Sequence, residues 1–435
     1  MSEIKKVVPP PETVPPGPPA GGKVRWVLPF ILLVSVIISY LDRNNLSFAL
    51  PKIADEYGWT DAQTGEYGMY LFLAFFFSYG VANMLFSPIG EKYGPKGSII
   101  IAVVFFSLFT IAGAGVGHIF WLFFATRIFL GLGEGVHFPM NSKLIKNWFP
   151  TTERSRANGI WIAGVMLAVI LAPVILVPVI DAYGWRTMFV GLGAMGMLIT
   201  LPLIYFFVHN TPKEHPAISE SEVEYIDSGM EEDETESLGF WNDVKPVLKS
   251  GIFWIAMVGG VFNNAASYGL MQWLPTYFVK GRQMEFESLW WATSLPYLLG
   301  IGGIVVMSLL GDKTGKRALL AGVGYLLCGV IAYFAATAPD IYMTVGLFSV
   351  AIFFQMAYTS QEFAILQRIL PKNRVGAGSG FYNGIAMMVG GVMGHSIVGG
   401  VVQATGNWTA GIVALLGAAV LAGITMIILS VFLKY

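Results

Sequence analysis

Apolar stretches long enough to cross a lipid bilayer recur along the chain, and no other feature restricts its fold as strongly. A helix that crosses a bilayer needs roughly 20 mostly apolar residues. Twelve runs of about this length lie at 26–48, 67–88, 98–117, 119–140, 157–180, 186–208, 251–278, 288–310, 318–336, 341–366, 376–402 and 408–433. Because hydrocarbon offers the backbone no hydrogen-bond partners, such runs fold as helices. The sequence therefore predicts an all-α polytopic membrane protein with twelve transmembrane helices.

Composition excludes several other classes of protein. Charged residues make up 12% of the chain, about half the share of a soluble domain. The basic residues lie between the apolar runs rather than in one patch, so no nucleic-acid partner is expected. Cys328 is the single cysteine, which excludes an intramolecular disulfide and a cysteine metal cluster. None of the five histidines has ligand spacing, so neither a metal nor another cofactor is predicted.

Polar breaks divide the chain into four parts. A Pro-rich tail (1–25) precedes six predicted helices (26–208), and an acidic segment (209–250), interpreted as a solvated linker, precedes six more (251–435). With the N-terminus placed in the cytoplasm, 20 of the 26 Lys and Arg residues fall in inside segments, four in outside segments and two within helices. This bias predicts that both termini and the linker are cytoplasmic.

The two halves repeat each other at an offset of 221 residues. "SPIGEKYGPK" begins at Ser87 and "SLLGDKTGKR" at Ser308, and Pro150 and Pro371 have the same separation. A parallel repeat of six helices is typical of transporters in which two bundles face each other across a central cavity.

These repeated loop segments resemble the cytoplasmic loop motif of the major facilitator superfamily. The resemblance implies a gating role for the charged residues at the matching positions, which are Glu91, Lys92, Lys96, Asp312, Lys313 and Arg317. The acid is expected to cap a helix of the other bundle, and the basic residues to pair across the interface between the bundles.

Within that superfamily, "YLDRNN", "RIFLGLGEGVHFPMN" and "WFPTTERSRANG" resemble the anion:cation symporter family. Its members include bacterial transporters of galactonate, hexuronates and aromatic acids, and animal sialin and vesicular glutamate carriers. The glycine-proline motif that antiporters carry on the fifth helix is missing here, which favours symport. Where sugar-acid members tend to carry a glutamine on that helix, this chain has Val165, which implies a substrate with few hydroxyl groups.

Within the first six predicted helices, four charged residues lie away from the helix ends, where a charge costs roughly 2.5–3.5 kcal/mol. Asp42 and Arg43 are adjacent in the first helix, and Arg127 and Glu134 lie two turns apart on one face of the fourth. Arginine stays protonated and its planar fork suits a carboxylate, whereas burial favours the protonated form of a carboxylic acid. Arg43 and Arg127 are therefore predicted to bind an anionic substrate, and Asp42 and Glu134 to carry protons. The alternative is a set of ion pairs that only stabilise the bundle.

Weaker signals extend the predicted substrate site. Tyr40 shares a helical face with Arg43, and His137 lies one turn beyond Glu134, where it either tunes that acid or is an ordinary buried histidine. The remaining predicted substrate contacts are Tyr79, Asn83, Trp161, Gln272, Ser360 and Asn383, with a core role as the alternative for Tyr79. Glu362, nearer the cytoplasmic end, is assigned to a gate or to solvent, and His395 to the structure.

These observations together predict a secondary active transporter. The predicted function is import of a small organic anion, such as a carboxylate, together with protons, by alternating access in a bacterial-type plasma membrane. The protein is expected to work as a monomer whose partners are the anion, protons and the bilayer. A facilitative carrier or anion exchanger is the nearest alternative; a nutrient sensor and a membrane enzyme are the others.

Overall fold

The computed structural model describes residues 23–86, 90, 93–230, 240–371 and 374–433, and within these ranges the chain is largely helical. Glu91 and Lys92 of the predicted loop motif, residues 1–22 of the tail and the "EEDETES" segment of the linker lie outside the described residues.

The first bundle consists of six helices. They are α1 (Val27–Glu56), α2 (Asp61–Leu85), α3 (Pro95–Val116), α4 (Phe120–Trp148), α5 (151–183) and α6 (185–207). Gly184 separates α5 from α6 because its backbone takes the non-helical angles φ 80° and ψ 160°, which glycine adopts without a steric penalty. Thr60 and Gln63 form a capping box that fixes the start of α2.

The second bundle repeats this arrangement. Its helices are α7 (Gly251–Thr276), α8 (Leu289–Thr314), α9 (Arg317–Thr337), α10 (Ile341–Ile369), α11 (Val375–Thr405) and α12 (Trp408–Phe432). Within the described ranges, nine helical segments are long and apolar enough to span a membrane, and one of them contains both α5 and α6. The helices α4 and α7, of 29 and 26 residues, are long enough but carry charged or amide side chains. The prediction of twelve transmembrane helices is confirmed.

Part of the linker packs on the first bundle instead of extending into solvent as the sequence predicts. The linker helix Glu220–Ser228 places Glu222, which is fully buried, against the guanidinium of Arg25. Arg25 Nη1 lies 2.8 Å from Glu222 Oε1, and its Nε lies 2.8 Å from Glu153 Oε2 on α5. The hydroxyl of Thr151 also donates to the carbonyl of Gly229 at 2.8 Å. The start of α1, the start of α5 and the linker helix are thereby held together.

Apolar cores are distributed differently at the two ends of the bundles. At the far end, where α1 ends, one continuous core includes residues of both bundles, and the rings of Phe72 and Trp273 pack across it with centroids 5.2 Å apart. At the linker end, where α1 begins, the core around Trp148 consists of first-bundle residues together with Met387 of α11, and the second bundle has a core of its own around Tyr325. The bundles thus share one core at the far end, whereas towards the linker end most apolar residues pack within their own bundle and α2 and α11 keep the two in contact.

Polar contacts reinforce the far end. Gln272 of α7 is fully buried between the bundles, accepting from the hydroxyl of Ser47 and donating to Asn44 Oδ1 at 3.2 Å. Lys280 forms an ion pair with Asp55, and the indole of Trp408 donates to Asp61 at 2.9 Å. These contacts and the shared core form what we call the far-end seam.

Removing the Gln272 side chain is expected to open the far-end seam. Gln272→Ala leaves two buried polar partners without hydrogen bonds, which costs about 1–3 kcal/mol. The population open at the far end should rise at least about fivefold. Spin labels on cysteines introduced at the exposed positions Tyr183 and Tyr342 would report the separation of the bundles, since the native Cys328 is buried.

The matched control for this experiment is Gln403→Ala, which truncates an exposed glutamine on α11. Its distance distribution should equal that of the parent chain. An unchanged distribution in Gln272→Ala would show that the glutamine does not hold the seam closed.

Candidate functional site

A buried ion pair joins α1 to α4 inside the first bundle. Arg43 Nε and Nη2 both donate to Glu134 Oε2, at 3.0 and 2.9 Å. The two side chains are 2% and 0% exposed. Burying an unpaired charge costs several kcal/mol, so each group stabilises the other. The sequence predicted both residues as functional, and the structure shows that they are direct partners.

Two glycines on α4 bring α2 close to this pair. A side chain at Gly131 or Gly135 would collide with the backbone of α2, near Phe75 and Tyr79 respectively. Small residues one turn apart allow such close approach of membrane helices. Asn83 of α2 then donates to the carbonyl of Gly135 at 3.2 Å. The glycine spacing therefore sets the position of the predicted residues Tyr79 and Asn83.

Aromatic rings surround the guanidinium of Arg43. Its Cζ atom lies 4.2 Å from the ring centroid of Tyr40 and 4.5 Å from that of Tyr79. Stacking on aromatic faces stabilises a guanidinium and fixes its orientation. Tyr268 of α7, whose ring centroid lies 5.1 Å from that of Phe76, reaches the neighbourhood of Arg43 from the second bundle, and it was not predicted. The available signal was its position one turn after Asn264 in a polar stripe of α7.

Asp42 and Arg127 form a second charged unit connected through Asn45. The two carboxylate oxygens of Asp42 accept from Asn45 Nδ2 at 2.7 Å and from the hydroxyl of Thr110 at 2.6 Å. Arg127 Nη2 donates to Asn45 Oδ1 at 2.8 Å. The side chains of Asp42 and Arg127 are both buried. Arg43 thus contacts a carboxylate directly, whereas Arg127 is connected to one through the side chain of Asn45.

Several buried polar atoms in these two units have no hydrogen-bond partner among the described residues. They are Arg43 Nη1, Arg127 Nε and Glu134 Oε1. Buried polar groups in proteins are nearly always hydrogen-bonded, so these atoms have capacity left for a water molecule, a ligand or a proton. Two free N–H donors on arginines suit an anion, and a free carboxylate oxygen suits a proton.

Two predicted residues fill the core of the first bundle instead of facing a ligand. His137 is buried with its Nε2 atom 2.7 Å from the hydroxyl of Ser35. Trp161 packs its ring against Phe138 and donates to Asn158 at 2.9 Å. Both therefore have partners within the bundle in this conformation.

The predicted residues of the second bundle do not form one cluster. Gln272 belongs to the far-end seam, and the hydroxyl of Ser360 donates to the carbonyl of Ala357 at 3.2 Å. Asn383 is half-buried on α11, next to Gly384, whose Cα lies against Met84 of α2. Asn383 is thus the one of these three residues whose neighbour in sequence, Gly384, lies against α2 beside Asn83.

The described loop-motif residues form contacts within their own bundle. The backbone N–H of Lys96 donates to Asn210 at 2.9 Å. Arg317 donates to Asp312 at 2.5 Å and to Gln361 at 2.7 Å, and Lys313 is exposed. In this conformation Asp312 and Arg317 pair with each other rather than across the interface. Within the described ranges, no group of His, Cys, Asp and Glu residues is arranged to hold a metal ion.

Comparisons with known proteins agree with this architecture. A sequence profile of the Major Facilitator Superfamily matches residues 32–395. A bacterial homolog of the human lysosomal transporter Spinster has the same fold, with a TM-score of 0.72 at 17% identity over 95% of this chain and 97% of the other.

Curated relatives cover nearly the whole chain. A hexuronate transporter of Bacillus subtilis is 28% identical, over 92% of this chain and 94% of its own length. A probable galactarate/D-glucarate transporter of the same organism is 26% identical, over 91% and 90%. A probable sulfoacetate transporter of Cupriavidus necator is 27% identical, over 89% of each chain.

Proposed function

Because the chain belongs to the Major Facilitator Superfamily, we propose that it imports a small organic anion together with protons. The protein is a membrane transporter and not an enzyme. Its relatives are named as transporters of hexuronate, galactarate or sulfoacetate, all of which carry an acidic group. The observation that carries the proposal is the buried Arg43–Glu134 pair, in which Arg43 Nη1 and Glu134 Oε1 have no hydrogen-bond partner among the described residues.

Competition for one guanidinium couples the proton to the anion in this proposal. Arg43 stays charged at every relevant pH, and its Nε and Nη2 atoms are occupied by Glu134 Oε2. A proton on Glu134 removes the charge that holds this pair together. The guanidinium is then free to bind the carboxylate or sulfonate of the substrate. Binding of the anion therefore favours protonation of Glu134, and protonation favours binding of the anion.

The distribution of apolar cores supports alternating access. The far-end seam closes one side, whereas at the linker end most apolar residues pack within their own bundle. With the Lys and Arg bias placing the linker in the cytoplasm, this is a conformation that releases substrate inward. We assign the protein to the plasma membrane, with both termini cytoplasmic, acting as a monomer. A substrate with few hydroxyl groups, as Val165 on α5 implies, fits this site.

Uptake into proteoliposomes tests the proposed function. Purified protein is reconstituted, and the uptake of radiolabelled sulfoacetate, galactarate and a simple monocarboxylate is measured with and without an inward proton gradient. We expect concentrative uptake of at least one anion only when the gradient is present. Equal, non-concentrative uptake under both conditions would favour a facilitative carrier or exchanger. Saturable binding without any flux would favour a sensor.

Two carboxylates in the site predict that transport responds to voltage. If Asp42 and Glu134 each carry a proton with a monovalent anion, one positive charge moves inward per cycle, worth about 2.3 kcal/mol per 100 mV. Uptake at constant pH should rise when a potassium diffusion potential makes the interior negative. Asp42→Asn should reduce both this response and the rate.

The competing scheme keeps Asp42 ionised through its hydrogen bonds to Asn45 and Thr110. Only Glu134 then titrates, and a monovalent anion moves without net charge. An initial rate that is unchanged by the imposed potential would support that scheme and rule out two protons per anion. A vesicle preparation without valinomycin serves as the control.

A further inference from the structure

Glu362 is an acidic residue inside the second bundle to which the proposed transport cycle gives no role. It lies on α10 and is half-buried, with Oε1 accepting a hydrogen bond from the hydroxyl of Tyr382 at 2.7 Å. Within the part of the chain that the structure describes, no Lys, Arg or His side chain pairs with this carboxylate. Ionisable groups at membrane depth are rare and mark functional sites by default, so Glu362 calls for a functional explanation.

Its position on α10 directs Glu362 towards the interior of the bundle. It follows Gln355 by two helical turns on the same face, and Gln355 donates to Ser267 of α7 at 2.6 Å. The end of α10 at Ile369 is about 10 Å away along the helix axis. Glu362 therefore lies in the linker half of the second bundle.

Contacts across the interface connect Glu362 with the first-bundle site. Asn83 donates to the carbonyl of Gly135, the residue after Glu134. The side chains of Asn83 and Met84 lie against Gly384 of α11. Tyr382, the partner of Glu362, precedes that glycine by two residues. Glu362 and the Arg43–Glu134 pair therefore lie on opposite sides of the contact between α2 and α11, each within a few residues of it.

The internal repeat shows that the fold does not need an acid at this position. At the offset of 221 residues, Glu362 corresponds to Asn141 of α4 and Tyr382 corresponds to Trp161 of α5. Asn141 is fully buried, and neither of its amide atoms has a hydrogen-bond partner among the described residues. A neutral side chain therefore occupies the equivalent place in the first bundle, so the charge of Glu362 serves something other than packing.

We propose that Glu362 binds a protonated amine on a substrate that also carries an acidic group. Tyr382 occupies Oε1, and Oε2 makes no hydrogen bond within the described ranges, so it can accept from an N–H donor. The first-bundle carboxylates have an arginine in contact or connected through Asn45, whereas Glu362 has no basic partner within the described ranges, so it is the carboxylate that an amine would neutralise. This inference rests on the proposed function, because the acidic end of the substrate is assigned to Arg43.

Matched ligands on the purified full-length chain test this inference. The probes are straight-chain carboxylates of two to eight carbons, each in an unsubstituted, an ω-hydroxy and an ω-amino form. Affinities are measured by thermal shift and by inhibition of uptake. For at least one chain length, the ω-amino acid should bind about tenfold or more tightly than the unsubstituted acid. Glu362→Gln should reduce that ratio to within about twofold while the unsubstituted acid keeps its affinity.

Two further variants make the result specific. Glu362→Asp keeps the charge but shortens the side chain by one methylene, so the preferred amino acid should become one carbon longer. Glu285→Gln, in an exposed loop at the far end, is the matched control and should leave every ratio unchanged. Retained amine preference in Glu362→Asp also shows that the site is folded.

The outcomes separate this inference from the proposed function. Carboxylates that bind in an Arg43-dependent way without any amine preference would overturn only the role of Glu362. The role of Glu362 alone would also be overturned if Glu362→Gln lowered the affinity of all three ligand forms equally. It would likewise be overturned if the substitution changed none of these affinities, as expected for a permanently protonated acid. Failure of every acid to bind would instead overturn the proposed function.

Discussion

Glu134→Gln is expected to abolish accumulation driven by a pH gradient while exchange of substrate across the membrane continues. Glutamine keeps the shape of a protonated glutamate but cannot release a proton. Arg43 is then permanently free for the anion, since its Nε and Nη2 lose the charged partner seen in the structure. A gradient of one pH unit drives about tenfold accumulation per coupled proton, and the accumulation ratio should fall to about one.

The measurement compares uptake into proteoliposomes under a pH gradient with counterflow between preloaded vesicles and labelled medium. Glu56→Gln is the matched control, because Glu56 is an exposed glutamate that pairs with Arg186 at the far end. It should accumulate substrate like the parent chain. Accumulation by Glu134→Gln at the parental rate would remove Glu134 from the coupling mechanism.

Arg43→Gln is expected to lower substrate affinity by about 100-fold or more, the effect of losing charged hydrogen bonds in a buried site. The loss should be smaller in Arg43→Lys, which keeps the charge without the planar fork. Affinity is measured by calorimetry or by thermal shift with the best substrate found in the uptake screen. The aromatic cage of Tyr40 and Tyr79 remains in both variants, so the difference isolates the guanidinium.

Arg186→Gln is the control for this series, since it removes an arginine from an exposed ion pair whose side chains are 42% and 40% exposed. It should change affinity by less than about twofold. Melting temperatures without ligand should be compared as well, because Arg43→Gln leaves Glu134 without its partner. A folded Arg43→Gln protein that binds as tightly as the parent would show that Arg43 does not contact the substrate.

Helix number could be predicted from the sequence, whereas helix ends could not. The first apolar run ends near residue 48, but α1 continues to Glu56. The additional turns carry Asp55 and Glu56, which are held by Lys280 and Arg186. Hydropathy detects the part of a helix that lies in lipid, and the polar turns beyond it depend on partners that are distant in the sequence.

Pairing within the site was also beyond sequence reasoning. The spacing of Arg127 and Glu134 correctly places them on one face of α4, but it does not fix how that face is rotated towards α1. In the structure Glu134 contacts Arg43, and Arg127 reaches Asp42 through Asn45. Gly131 and Gly135, where a side chain would collide with the backbone of α2, identify the face of α4 that lies against α2.

Gln272 shows why a polar residue in a membrane helix is an ambiguous signal. Its position on α7 suggested contact with substrate, yet in this conformation it binds Ser47 and Asn44 of α1. A buried amide can serve a ligand or a neighbouring helix equally well. Only the three-dimensional arrangement separates the two roles.

The attachment of the linker helix determines what kind of molecule could regulate transport. Arg25, Glu153 and Glu222 fix this helix to the first bundle, so it moves with that bundle as α1 and α5 move. A regulator that contacts only the linker helix and the first bundle meets the same surface in both conformations of the transport cycle. A ligand with equal affinity for two states cannot shift their populations, however tightly it binds. Control through this segment therefore requires a molecule that also contacts the second bundle.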